Sequence, residues 1–173
     1  NVFNHSDKPL EFLEGVKNLL KKDSIFIFEQ PNFTKGVVSL KFDQIYHEHI
    51  SYFTVRNIKS LLKYSDLKII SVKKNDYHGG SLRTIATNSY SKIKEFNANK
   101  LIEFENKNKI YSVKFYKNMM KKINIKKINL LNKLIKLTQE GYIISGIGAG
   151  AKSNTFLTFY ALNNIIIKFL TDS

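Results

Sequence analysis

The chain of 173 residues contains no cysteine, which excludes a disulfide scaffold and any cysteine-ligated zinc or iron–sulfur site within this segment. Proline occurs twice and glycine eight times, too little for a low-complexity or collagen-like chain. No apolar run approaches the roughly 20 residues of a membrane span; the longest, such as 163–170, is far shorter. No charged-then-apolar leader opens the sequence. The expectation is a soluble, cytoplasmic chain with no membrane partner. Because it starts with asparagine and stops directly after an apolar run, both ends look cut, and the segment is expected to hold pieces of two domains.

What is present suffices for a core: 43% of residues are hydrophobic and 13% aromatic. The formal charge of +14 would ordinarily point to nucleic acid. Lysine, however, supplies 26 of the 28 basic residues and arginine, which reads guanine through two hydrogen bonds, only two. Lys, Ile and Asn share A/T-rich codons and fill 65 positions, so gene composition accounts for the charge. No nucleic-acid partner is expected.

The pattern reads as α/β. Leu10, Leu13, Val16, Leu19 and Leu20 recur at helical spacing, predicting a helix over 8–22 with Asp7 as its cap and Pro9 in its first turn. The continuous apolar run 24–29 reads as a strand buried on both faces, as in a parallel sheet. A loop follows, through Pro31, Gly36 and 42–52. A helix is predicted over 55–64 with Thr54 as its cap. Runs 67–73 and 81–87, flanking Tyr77-His78-Gly79-Gly80, predict an antiparallel pair. From 95 to 139 the spacing is helical without interruption, giving one long helix or two. The ten lysines between Lys107 and Lys136 read as a solvated helix face. A strand over 142–147, a glycine-rich turn, a helix over 151–162 and a strand over 165–170 make a β-turn-α-β unit.

Two constellations could carry chemistry. In Tyr46-His47-Glu48-His49 a carboxylate separates two imidazoles. Imidazole titrates near neutrality and suits a general base, and His47 and His49 would share one side of an extended segment, as a metal pair requires. A proton-transfer site, a structural hydrogen-bonding cluster and a metal pair all remain open on the residues alone. The second constellation is Gly146-Ile-Gly-Ala-Gly-Ala-Lys152-Ser-Asn-Thr155, placed between a strand and a helix. Backbone N–H groups, the helix dipole and Lys152 offer a seat for phosphate. Gly146, Gly148 and Ala151 also satisfy the dinucleotide fingerprint, with Asp172 where a ribose-binding acid would lie, so an NAD(P)-dependent oxidoreductase is the competing reading. His78 before two glycines could present a polar side chain from a hairpin tip.

Together, Asn1-Val-Phe-Asn-His5, Phe26–Pro31, Phe42–Phe53 with its YHEH string, His78-Gly-Gly-Ser-Leu-Arg83 and Gly146–Thr155 resemble the S-adenosylmethionine-dependent sugar C-methyltransferases that act on nucleotide-linked 4-keto-deoxysugars. The resemblance implies that residues 1–90 are the C-terminal half of a Rossmann-like methyltransferase domain. Residues 91–173 would then be a helical segment and part of a second Rossmann-like domain that binds the nucleotide sugar. It also implies a zinc module and the main cofactor-binding loop upstream, no metal within the segment, and no activity for the segment alone. By analogy His49 removes the proton beside the keto group, Glu48 orients it, and Tyr46 donates to the enolate oxygen before the enolate attacks the cofactor's methyl group. Asn1 and His5 would lie in the active site. Gly148, Lys152, Asn154 and Thr155 would bind the nucleotide diphosphate, and His78 would be a pocket residue. Ser153 stands where the family has glycine.

Overall fold

The structure, a computed structural model, describes residues 2–42 and 44–172. The chain forms two compact units. The first comprises Asn1–Ser39 with Glu48–Ser112, the second Leu40–His47 with Val113–Ser173.

In the first unit, a 3-10 turn (Phe3–His5) precedes helix α1 (Pro9–Leu19), strand β1 (Ile25–Pro31), helices α2 (Phe33–Val38) and α3 (Val55–Tyr64), strands β2 (Leu67–Asn75) and β3 (Ser81–Asn88), and helix α4 (Ala98–Lys107). The strands form one sheet in the order β1-β3-β2, with β3 antiparallel to both neighbours. The β2–β3 pair therefore matches the expected hairpin. The reading of β1 as a strand of a parallel sheet buried on both faces is corrected. Its ladder partner is antiparallel β3, and its burial alternates: Phe28 and Gln30 are buried, whereas Ile25 and Ile27 are each 51% exposed. An apolar run looks the same whether or not its second face is covered. The free edge of β2 is closed locally. The Asn97 side-chain amide accepts from Val72 N (2.8 Å) and donates to Val72 O (2.7 Å), and Phe96 N donates to Ile70 O (2.7 Å), so the middle of that edge is paired.

Helix α1 is shorter than its periodicity suggests. Lys8, not Asp7, is its N-cap and offers no side-chain cap bond. Pro9 occupies the first turn, where its missing N–H costs nothing. Helix α3 follows expectation: Thr54 accepts from Asn57 N, and Asn57 answers from its side chain to complete a capping box. Helix α2 lies within what the sequence suggested was loop. It is six residues long, too short to show periodicity, and Asn32 caps it by accepting from Lys35 N (3.0 Å). The helical stretch from 95 to 139 resolves into two helices. The chain breaks after α4, with Lys109 in the left-handed region at φ 56°, and resumes as α5 (Val113–Gln139).

Two contacts fix the parts that matter for function. Phe3 is buried and packs against Phe53 (5.0 Å between centroids, stacked), Phe28 (5.2 Å, edge-on) and Phe12 (5.5 Å). Glu105 of α4 is also fully buried. Its carboxylate accepts from Val55 N (2.7 Å), Arg56 N (3.2 Å), the Thr34 hydroxyl (3.1 Å) and the Tyr111 hydroxyl. A carboxylate there satisfies orphan donors of the first turn of α3 and complements its dipole.

The second unit contains α5, strand β4 (Ser145–Ile147), helix α6 (Ala151–Tyr160) and strand β5 (Phe169–Thr171), with β4 and β5 parallel. Both strands are shorter than their apolar runs. Residues 163–167 are instead held in a turn, where Asn163 Oδ1 accepts from Ile165 N and Asn163 O from Ile167 N.

Glu105→Ala leaves buried donors without acceptors and should lower stability by about 3 kcal/mol, read from urea unfolding. Phe3→Ala should cost about 3–5 kcal/mol in the same assay. Burial, followed by its hydrogen bond to Glu105, pushes the Tyr111 hydroxyl up to about 12. The unfolded chain therefore loses this proton near pH 10 while the folded chain keeps it. The contribution is whole below pH 10 and is lost as pH rises towards 12. Tyr111→Phe should remove that part of the alkaline decline, measured by unfolding at pH 9 to 12 against the parent chain.

Candidate active site

The candidate site is built from two segments that have little regular structure of their own. The 3-10 turn is closed by His5 N donating to Val2 O (3.0 Å). It carries Phe3 into the aromatic cluster, and Phe53 enters the same cluster from the segment after YHEH. Between them Ser51 N donates to Asn4 O (3.1 Å). Stacking and backbone bond together bring His5 and His49 into edge-to-face contact, with centroids 5.2 Å apart at 74°. Tyr52 packs edge-on to His49 at 6.1 Å and tilts against Phe33 at 5.7 Å. His49 and His5 are half-buried and Glu48 is exposed. Two imidazoles thus stand one beside the other against an aromatic wall.

The YHEH string itself crosses the division between units, which falls between His47 and Glu48. Tyr46 and His47 lie in the second unit, in edge-on contact at 5.7 Å. Among the described residues no three His, Asp or Glu side chains gather as a metal site. Asn1 lies outside the described residues, and so does the side chain of His78.

The backbone of His78 belongs to a 3-10 turn, Tyr77–Gly79, that joins β2 to β3. Gly80 follows at φ 123°, and a Cβ there would stand 2.7 Å from Lys35 Cδ. That absence lets the Lys35 stem cross the turn to reach Asp76 (2.7 Å). Lys35 beside it in turn lowers the Asp76 carboxyl below its ordinary value. The rest of the HGGSLR string serves a residue that the sequence did not single out. Glu29, on β1, accepts from the Ser81 hydroxyl (2.5 Å) and from Arg83 Nε and Nη2 (each 2.9 Å). The Ser81 bond first, then those from Arg83 and Asn75, hold Glu29 below the ordinary carboxylate range against the opposing effect of burial. The available signal was opposite charge at directly paired positions, Glu29↔Arg83, once the register is known. Asn4 and Gln30 were likewise missed: both are buried, with side-chain amides that have no hydrogen-bond partner among the described residues.

In the second unit the glycine turn has the expected setting between β4 and α6. Gly148 sits at φ 92° and donates its N–H to Thr171 O (2.7 Å), and a Cβ on Gly146 would run into Leu170 Cδ2. Gly150 is the N-cap of α6. The Ser153 hydroxyl donates back to Gly148 O (3.0 Å). Lys152 is half-buried, with no carboxylate partner among the described residues, while Asn154 is exposed and Thr155 half-buried. Asp172 is exposed just past β5.

The profile of the C-methyltransferase C-terminal domain family matches residues 76–173, more than half of the chain. C-methyltransferase NovU of Streptomyces niveus is 27% identical over 173 residues, covering 99% of this chain. The chain spans 41% of that relative's length. Both matches are to C-methyltransferases, and the oxidoreductase reading of the Gly146 turn finds no support in them. From the YHEH and HGGSLR strings, the glycine turn and these matches together, the chain belongs to the C-methyltransferase family.

Proposed function

We propose that the chain is part of an S-adenosylmethionine-dependent C-methyltransferase that acts on the carbon beside the keto group of a nucleotide-linked 4-keto-deoxysugar. The observation that carries this reading is the His5–His49 contact, because carbon alkylation next to a carbonyl first needs a base. A keto group acidifies the adjacent C–H. In this reading His49 takes that proton at a ring nitrogen, and the enolate that results is the carbon nucleophile. His5 and Tyr52 fix the plane of the His49 ring, and Glu48 is assigned to orient it. The ring tautomer follows from whichever nitrogen faces the substrate.

S-adenosylmethionine, when bound, supplies an electrophilic methyl group. The fully buried Asn4 amide, unpartnered among the described residues and next to His5, is a group of this chain that fits a polar ligand at that point. The main cofactor-binding residues are assigned to sequence outside this segment. The nucleotide diphosphate is assigned to the Gly146–Thr155 turn, with Gly148, Lys152, Asn154 and Thr155 as its contacts. Neutral amides and one mobile ammonium suit two phosphates. A cytoplasmic location and the 1–90 and 91–173 assignments stay with this proposal.

The test is made in a protein competent for methyl transfer that contains this segment. His49→Asn should reduce both methylation and exchange of the substrate's α-hydrogen with deuterated water by about 100- to 10,000-fold. Retained exchange would remove His49 from the role. Lys152→Ala should weaken binding of a nucleoside diphosphate, measured by calorimetry, more than Asp172→Ala does. The reverse order, with tight NAD binding that depends on Asp172, would overturn the assignment of the turn.

A further inference from the structure

The first unit also contains a cavity that shares no lining residue with His5, Glu48 or His49. Its volume is about 150 Å³, and its apolar walls are Val38, Val55, Leu82, Leu101 and Phe104. A cavity of about this size accepts a single benzene-sized group and no second ring.

We propose that this cavity is a binding site for a small carboxylate with a one-ring apolar body, the ring seated inside and the carboxylate at the mouth. The charges around it decide the orientation. Lys35 and Lys74 both line the cavity. Lys35 is already bound to Asp76 at 2.7 Å. Lys74 lies over the Phe104 ring, with Nζ 4.9 Å from its centroid, and has no carboxylate partner among the described residues. Lys74 is exposed and Phe104 is 44% exposed, so the cation and the ring edge stand at the mouth. The one acid in the lining is Glu105, at 1% exposure and therefore on the buried side. Its oxygens already accept from Val55 N, Arg56 N, Thr34 and Tyr111, so it offers no seat to a cation and repels an anion from the floor. A ligand's carboxylate is turned outward to the ammonium that has no acid, while its ring meets the apolar walls. A neutral ring of the same size fits the walls and leaves Lys74 unused; a bare small acid meets Lys74 and leaves the walls unused.

The experiment is calorimetric titration of the full chain with benzoate, benzyl alcohol and acetate. Benzoate should bind saturably, benzyl alcohol about five- to tenfold more weakly, and acetate not measurably, since a hydrogen bond to a charged group is the stronger kind. Lys74→Gln, an exposed substitution, should lower benzoate affinity to that of benzyl alcohol and leave benzyl alcohol unchanged. Val38→Trp, at a position 40% exposed, should fill the mouth and remove binding of both. Each variant's unfolding midpoint is checked so that lost binding is read only from folded protein. Equal affinity for benzoate and benzyl alcohol, unchanged benzoate affinity in Lys74→Gln, full binding in Val38→Trp, or no benzoate binding to the parent chain at millimolar concentration would overturn the assignment.

Discussion

Phe3 makes ring contacts with Phe12, Phe28 and Phe53 at once, and the candidate site depends on that convergence. A three-residue 3-10 turn has almost no stability of its own, and the segment that carries His49 has no strand or helix to rigidify it. Each aromatic pair adds about 0.5–1.5 kcal/mol beyond the burial itself. The cluster therefore joins the turn to α1, to β1 and to the end of the histidine segment. Ser51 N on Asn4 O then sets the two backbones in register. The approach of His5 to His49 follows from this packing and needs no direct bond between the rings.

Glu105 secures the same segment from its other end. Two residues beyond Phe53 the chain enters α3, and the first-turn amides of Val55 and Arg56 point into the Glu105 carboxylate. A capping box at Thr54 would by itself hold the helix end. The added carboxylate ties that end to α4, and Thr34 and Tyr111 close the cluster from α2 and from the stretch after α4. A buried carboxylate is tolerated only because each donor is aimed at it. His49 thus sits between an apolar clamp and a polar one, with Glu48 on the exposed side of the clamped stretch.

Elements whose signals are local were legible in the sequence. Thr54 followed by an amphipathic run gives α3, and two strand-like runs around Gly79-Gly80 give the β2–β3 hairpin. The nature of β1 was not legible, because whether Ile25 and Ile27 are covered depends on what lies against the sheet and not on the run itself. Two helices were one of the two readings of 95–139, but where the break between α4 and α5 falls was hidden. It rests on Lys109 adopting a left-handed conformation that lysine rarely takes and no local pattern announces. At the site, the residue types in YHEH suggested proton transfer but left a structural cluster, and behind it a metal pair, open. Only the resemblance drew in His5, 44 residues from His49, because the phenylalanines that join the two segments look like ordinary core residues. Glu29 was overlooked for the same reason: its partners, Ser81 and Arg83, become visible only through strand register.

The glycine turn shows how a departure from the family pattern can be absorbed. Gly146 and Gly148 are each required on separate grounds, one by the approach of Leu170 and the other by its positive φ. Position 153 makes no such demand. Ser153, standing where the family has glycine, uses its hydroxyl on Gly148 O and its amide on Gly150 O (2.8 Å). The hydroxyl bond stiffens the turn, whereas the amide bond, open to a glycine at 153 as well, withdraws that N–H from any ligand. The amides of Ala151 and Lys152, in the first turn of α6, have no acceptor earlier in the helix. Two neutral donors attract a diphosphate less than a cation does, so under the proposed assignment of the diphosphate to this turn the Lys152 side chain carries more of the attraction than the backbone amides do.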